Sequence, residues 1–465
     1  MGGGLLQLVA YGAQDAYISG NPHITFWKIL FKRHTNFAME AFRVNFTGSP
    51  HYGQRVVAVV NRNADLMYKT YLEVVLPDTT QATGGVTTGD VRWTAGAERR
   101  LGYAMLKKIE VEIGGQVIDT HYGEWLYLWE NLTSSFDNSM KLDPMVGGNL
   151  SGGVSSLSRC NGRPGILYIP LQFWFCRNPG LALPLIALQY HEVRINITLA
   201  PATDLVSFKW ADPVSGQPLT SNYTSVSTAA AALPQLKDMA LYIDYVYLDT
   251  EERRRFAQQS HEYLIDQLQF GLQQTLTSAQ ARIDLTLNHP VKELVWVFQN
   301  AQKTDCGSAL TAATGSTQPF DYDDIVDRAR LQINGQDRFD ERYGDYFWKV
   351  QPYQHHTGGG FFPTRSAFTL SPYSGGGSTG VGPVQFQAVN PVNVYSFAIQ
   401  PEEHQPSGTC NFSRIDTATL VFDSITTGGA GTFPSKANPY NFRIYAVNYN
   451  IFRVMSGMGG LAYSN

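Results

Sequence analysis

Lys108-Ile-Glu-Val-Glu-Ile-Gly-Gly-Gln116, followed by His121-Tyr-Gly-Glu-Trp125, has a second copy in the same chain. That copy is Arg328-Ala-Arg-Leu-Gln-Ile-Asn-Gly-Gln336, followed by Arg342-Tyr-Gly-Asp-Tyr346. In the first, Ile109, Val111 and Ile113 alternate with Glu110 and Glu112, the period of a half-buried strand. In the second, Ala329, Leu331 and Ile333 alternate with Arg330 and Gln332. Gly114-Gly115 and Asn334-Gly335 predict two-residue hairpin turns, which need positive φ at both central positions. Each copy then steps through Tyr-Gly-acid-aromatic into a helical segment.

The copies are offset by 220 positions, from Ile113 to Ile333. Solenoid units run roughly 20–50 residues, so this period is the length of a domain instead. Two copies of one β-rich domain follow. The rest of the chain agrees. Phe42, Val44 and Phe46 alternate with polar residues, as do Val193, Ile195, Ile197 and Leu199. Val56–Val60, Tyr71–Leu76, Ile166–Phe175, Leu241–Leu248, Tyr263–Leu276, Val394–Ile399, Thr417–Phe422 and Phe442–Val454 also read as strands, and Leu294–Phe298 as a buried run. Trp125–Leu132 and Tyr346–Val350 read as matched short helices. Long loops are expected over 77–100, 137–165, 200–235, 300–322 and 354–392. The domains predicted are an N-terminal arm (1–25), a first roll (26–248), a charged connection (249–256) and a second roll (257–465).

At 465 residues the chain can bury a large core, and only 16% of it is charged. The net charge of −4 gives no basic surplus for binding nucleic acid directly. The tight basic run Arg253-Arg254-Arg255 follows Glu251-Glu252 and reads as a solvated linker or helix face. Cys160, Cys176, Cys306 and Cys410 have no metal or redox spacing and are expected as free thiols. Met1-Gly-Gly-Gly-Leu-Leu lacks a basic n-region and reads as neither signal peptide nor membrane span. Leu6 sits where a myristoylation motif requires Ser or Thr. Asn45, Asn131, Asn149, Asn196, Asn222 and Asn411 begin N-x-Ser/Thr sequons, read here as chance matches.

No catalytic, cofactor or metal residues are expected. His121-x-x-Glu124 looks like half a metal site, but the other copy has Arg342 and Asp345 there, so solvated polar residues beside a turn are expected. His355-His356 falls in a loop with no acid nearby in sequence. Asp321, Asp323, Asp324 and Asp327 cluster without the spacing of a calcium loop. Nucleophile elbow, P-loop and zincin motifs are all missing.

Several longer strings are specific. Leu5-Leu-Gln-Leu-Val-Ala-Tyr-Gly-Ala-Gln-Asp15, Gly20-Asn-Pro22, Ile24-Thr-Phe26 and Arg33-His-Thr-Asn-Phe-Ala-Met-Glu40 resemble the amino-terminal signature of the major capsid proteins of nucleocytoplasmic large DNA viruses. Leu183–Val193, Leu248–Ala257 with His261–Ile265, Gln405–Thr409, Asn411–Asp416 and Met455–Tyr463 resemble later blocks of that family in the same order. The resemblance implies an all-β fold of two consecutive eight-stranded antiparallel jelly rolls. It implies a non-enzymatic structural protein of the virion, with no cofactor. Three chains would form a pseudo-hexagonal capsomer that tiles an icosahedral capsid. Expected partners are two further copies, neighbouring capsomers, and minor capsid, penton and scaffold proteins. Glycans on outer loops and a viral membrane under the inner face are also implied, and assembly in the host cytoplasm or a viral factory. The alternative reading of the residues is a tandem β-sandwich carbohydrate-binding protein or glycoside hydrolase, whose paired carboxylates a sequence cannot show.

Overall fold

The computed structural model describes residues 3–77, 91–93, 100–147, 165–208, 235–301, 319–358, 391–425, 434–436 and 438–463. Most of the expected loop residues, with Cys160, Cys306, Asn149 and Asn222, lie outside these.

The first half contributes β1 (Phe37–Asn45), β2 (Arg55–Val59), β3 (Leu66–Val75), β4 (Leu106–Ile113), β5 (Gln116–His121), β6 (Ile166–Pro170), β7 (Val193–Leu199) and β8 (Asp238–Leu248). They form one sheet in the order β1-β8-β3-β6 and a second in the order β2-β7-β4-β5. The second half contributes β9 (His261–Leu276), β10 (Ala281–Asp284), β11 (Pro290–Asn300), β12 (Val326–Ile333), β13 (Gln336–Asp337), β14 (Asn393–Ser396), β15 (Ala418–Ile425) and β16 (Tyr440–Met455). Their orders are β9-β16-β11-β14 and β10-β15-β12-β13. Strand for strand the two orders are the same, so the duplication extends to topology. Two short strands add to this repeat: Leu183–Pro184 pairs with β3, and Cys410–Asn411 pairs with β11. The result is a double jelly roll. Facing sheets bury alternate residues, which gives each strand its two-residue period.

The opening motif behaves as its chemistry dictates. Gly114 and Gly115 have φ of 60° and 85°, Asn334 and Gly335 of 49° and 78°. Ile113 pairs with Gln116 and Ile333 with Gln336 across these turns. The Tyr-Gly step is fixed by space. A Cβ on Gly123 would lie 2.1 Å from the Tyr103 carbonyl oxygen, and one on Gly344 would lie 2.0 Å from that of Val326. Only glycine lets the chain pass so close before turning into helix. The helices are Gly123–Thr133 in the first copy, and a π-helical turn (Tyr346–Val350) running into Gln351–His355 in the second.

Several expected loops and strands are corrected. Phe136–Val146 is helical despite Pro144 and its polar composition. Tertiary contacts hold it: buried Arg100 pairs with Asp143 at 3.2 Å and with Glu130 of the preceding helix. Val91–Trp93 and Val206–Phe208, both in expected loops, pair as a small sheet. The strand expected over Ile166–Phe175 stops at Pro170, and Trp174–Arg177 is a helical turn. The arginine run does lie on a solvated helix face, as expected: Thr250–Gln258 is an exposed helix between the halves. Arg253 ties it back to Asp65 at 3.0 Å.

Residues 1–37 form their own compact unit, with helices Gly3–Val9 and Ala16–Ser19. Tyr17, Phe26, Trp27 and Phe31 are highly exposed in it. Residues 38–465 form the other unit, which holds both rolls.

Two apolar cores fill the rolls. One lies inside the second roll, around Trp296, Phe298, Phe422 and Phe442. The other fills the first roll and continues onto the outer face of β9-β16-β11-β14, taking in Ile265, Val295, Val297, Val394, Tyr445 and Val447. That sheet is therefore covered on both sides. This accounts for the unbroken burial of β11 from Val291 to Asn300.

Candidate functional site at the joint between the rolls

The chemistry of this chain concentrates where the first roll meets the second. Glu124 opens the helix Gly123–Thr133, placed there by the tight Gly123 step. Tyr322 donates a hydrogen bond to its Oε1 at 2.9 Å, and Tyr445 donates to its Oε2. The Arg443 guanidinium pairs with the same carboxylate at 2.6 Å. All three partners come from the second half. Burial, then the Glu124 charge, hold the Tyr322 and Tyr445 phenols well above their ordinary pKa. Burial works against the Arg443 cation, but Glu124, Tyr322 and Tyr445 together outweigh burial and raise its pKa.

Aromatic rings surround this charge. Trp125 lies 5.5 Å from Tyr445, Tyr122 lies 5.4 Å from Phe270, and Tyr127 stacks on Phe320 at 4.6 Å. Beside them, Asp119 on β5 accepts the Leu268 N–H at 3.1 Å, and Gln267 donates to the Ile118 carbonyl. Edge strand β5 thus spends its polar groups on β9.

His121 and Glu124 are not the solvated residues the sequence predicts. His121 is buried, pairs with Asp119 at 3.1 Å and stacks on Phe173 at 4.3 Å. Among the described residues no three His, Cys, Asp or Glu side chains are grouped to hold a metal. That holds for the described aspartates of 321–327 too. Asp324 instead accepts the Trp348 indole N–H at 3.0 Å.

His356 is corrected as well. Its neighbours in sequence carry no acid, yet Glu293 and Glu402 flank it, each 3.0 Å from one ring nitrogen. Burial would push its pKa down, but the two carboxylates prevail and hold it at about 9. Next along β11, Lys292 is fully buried against Asp266 at 3.0 Å and the Pro401 carbonyl at 2.9 Å. Arg177 of the first roll reaches Asp266 from the other side at 3.5 Å. Burial lowers the Lys292 pKa and Asp266 opposes that. Sequence reasoning missed Lys292. The only available signal was a Lys-Glu pair interrupting a buried apolar run.

Cys176 is a free thiol, buried, with its pKa pushed by burial up to about 12; Cys410 is free and half-buried. What the arrangement does is join two domains: charges neutralise one another inside an apolar seam that both rolls share.

Comparison with known proteins follows the same boundary. Residues 25–249 match the family described as the major capsid protein N-terminus. Residues 252–371 and 379–460 match the large eukaryotic DNA virus major capsid protein. The major capsid protein of Pyramimonas orientalis virus is 45% identical over 470 residues, covering 100% of both chains. That of Paramecium bursaria Chlorella virus 1 is 40% identical over 506 residues, again 100% of both. Among solved structures, the PBCV-1 protein VP54, fitted into a reconstruction of the virophage Sputnik, superposes with a TM-score of 0.70. It is 35% identical, over 95% of this chain and 100% of that one. The Faustovirus major capsid protein, 13% identical, shares the fold with a TM-score of 0.66 over 96% and 94% of the two chains. The carbohydrate-module alternative finds no support among these proteins.

Proposed function

This chain belongs to the major capsid proteins of large eukaryotic DNA viruses, and from that premise we propose that three copies form a pseudo-hexagonal capsomer. The chain is a structural protein of the virion capsid. The observation that carries the trimer is the repeat of one sheet order in both halves, welded at Glu124. A chain with two like rolls presents two like faces, and three such chains present six, enough to tile as a hexagon. Closed cyclic symmetry is the ordinary solution for such homo-oligomers.

The functional domains are then an arm, two rolls and the connection between them. The exposed aromatics of residues 11–31 suit burial against another protein, since Tyr, Trp and Phe are enriched at interface cores. Minor capsid, penton and scaffold proteins are the partners this reading calls for, above a viral membrane, with assembly in the host cytoplasm or a viral factory. Glycans would sit on outer loops. Asn131 and Asn196 are too buried to carry them, whereas Asn45 and Asn411 are exposed. The work of the chain is self-association, without catalysis.

Native mass spectrometry of the purified protein tests the trimer. A species of three times 51.6 kDa is the expected result. A folded monomer at micromolar concentration would overturn it.

A further inference from the structure

Lysine is seldom fully buried, because its ammonium group gives up water at high cost. Lys292 is fully buried, and the fold is built to place it. It sits at a bulge in β11, where the register against β16 shifts between Val291 and Glu293. Its carbonyl accepts two hydrogen bonds, from the Phe397 N–H at 2.8 Å and the Ala398 N–H at 3.2 Å, which pin the bulge. Bulges of this kind re-aim a side chain. The Lys292 Nζ is held 3.0 Å from Asp266 Oδ2 on β9, 2.9 Å from the Pro401 carbonyl oxygen and 5.0 Å from the centre of the Tyr449 ring. β9 and β11 are not neighbours, since β16 lies between them, so the Lys292–Asp266 contact spans a strand.

The surroundings suit a condensation as well as an ion pair. Burial disfavours the ammonium form of Lys292, which brings the free amine within reach. The Pro401 carbonyl can only accept, so it retains one N–H of that amine and leaves the lone pair for the Asp266 carboxyl carbon. Asp266 Oδ1 is buried and has no hydrogen-bond partner among the described residues, whereas Oδ2 also meets Arg177 at 3.5 Å. Glu293, the next residue, is fully buried, acts electrostatically on Lys292 and rests 3.0 Å from His356.

We propose that Lys292 and Asp266 join in an intramolecular isopeptide bond. The Nζ lone pair attacks the Asp266 carboxyl carbon, and a C–N bond forms as the bond from that carbon to Oδ1 breaks. Of the three protons on the ammonium, one stays on the amide nitrogen and two leave with the departing oxygen as water. The ion pair thus becomes an amide and water, with no oxidant, reductant or cofactor. Glu293 relays protons from the nitrogen to the leaving oxygen, and Arg177 holds Oδ2 while negative charge builds on it. Two charges are removed from an apolar interior, where ions are costly. The bond ties β9 to β11 across β16, a covalent brace in a protein whose work is mechanical. It forms once per chain and turns over no substrate.

The intact mass of the purified full chain tests this. Expected is a mass one water below that of the sequence and, after denaturation and trypsin, a branched peptide joining residues 256–282 to 283–303. Lys292→Arg keeps a cation but cannot form the amide, so its mass should be that of its full sequence. Glu293→Gln should leave most of the chain unlinked. A parent chain at full sequence mass overturns the proposal, and because the parent itself is weighed the result does not depend on any variant folding. A loss of water without the branched peptide overturns it too, since that marks a cyclic imide at an aspartate.

Discussion

Glu124 accepts a hydrogen bond from Tyr445, a residue 321 positions further along the chain. Asp345, its repeat equivalent, pairs instead with Lys349, four residues away. One acidic position in a duplicated motif has become buried cement in one copy and a surface residue in the other.

That difference predicts unequal costs. Glu124→Gln leaves Arg443 buried without its counter-charge, and breaking such a pair costs about 3 kcal/mol. Asp345→Asn breaks an exposed pair and costs below about 0.5 kcal/mol. Urea unfolding of the two variants side by side checks this. Equal midpoints would contradict the joint as described.

The glycines of the motif are predicted to differ by mechanism. Gly344→Ala drives a methyl into the Val326 carbonyl and should cost about 3 kcal/mol. Gly115→Ala meets no atom within 4 Å but holds φ of 85°, so about 1–2 kcal/mol of backbone strain is expected. Thermal unfolding of both variants ranks them.

His356 predicts an alkaline loss of stability. Its folded pKa of about 9 lies above the ordinary value of 6.5. The folded state therefore binds the proton more tightly than the unfolded chain does. The contribution is complete below pH about 6.5 and disappears as pH rises through about 9. Tm measured from pH 6 to 10 should fall across that window. His356→Gln should start lower at neutral pH, because Glu293 loses its partner, and the gap to the parent should narrow as pH rises. A constant gap would show that the histidine is neutral in the fold.

Sequon occupancy separates by burial. Asn131 is 3% and Asn196 2% exposed, so neither admits a glycan without unfolding its strand or helix. Peptide mapping of protein from virions should find both unmodified. A glycan on either would contradict the packing of the first roll.

The sequence by itself determined the duplication, the alternating strands and both hairpin turns. These depend on neighbours two to four residues apart, where periodicity and the φ preference of Gly and Asn decide the outcome. Family strings added the order of the rolls. Tertiary structure alone decided which copy of a repeated side chain was buried. His356 gained Glu293 and Glu402 from 63 and 46 positions away, and Phe136–Val146 became helical through Arg100. The Lys292–Asp266 pair likewise appears only once β11 is covered on both faces. A local pattern shows that a residue can face inward or outward. What meets it there depends on how the sheets stack, and that is settled by long-range pairing the one-dimensional pattern does not contain.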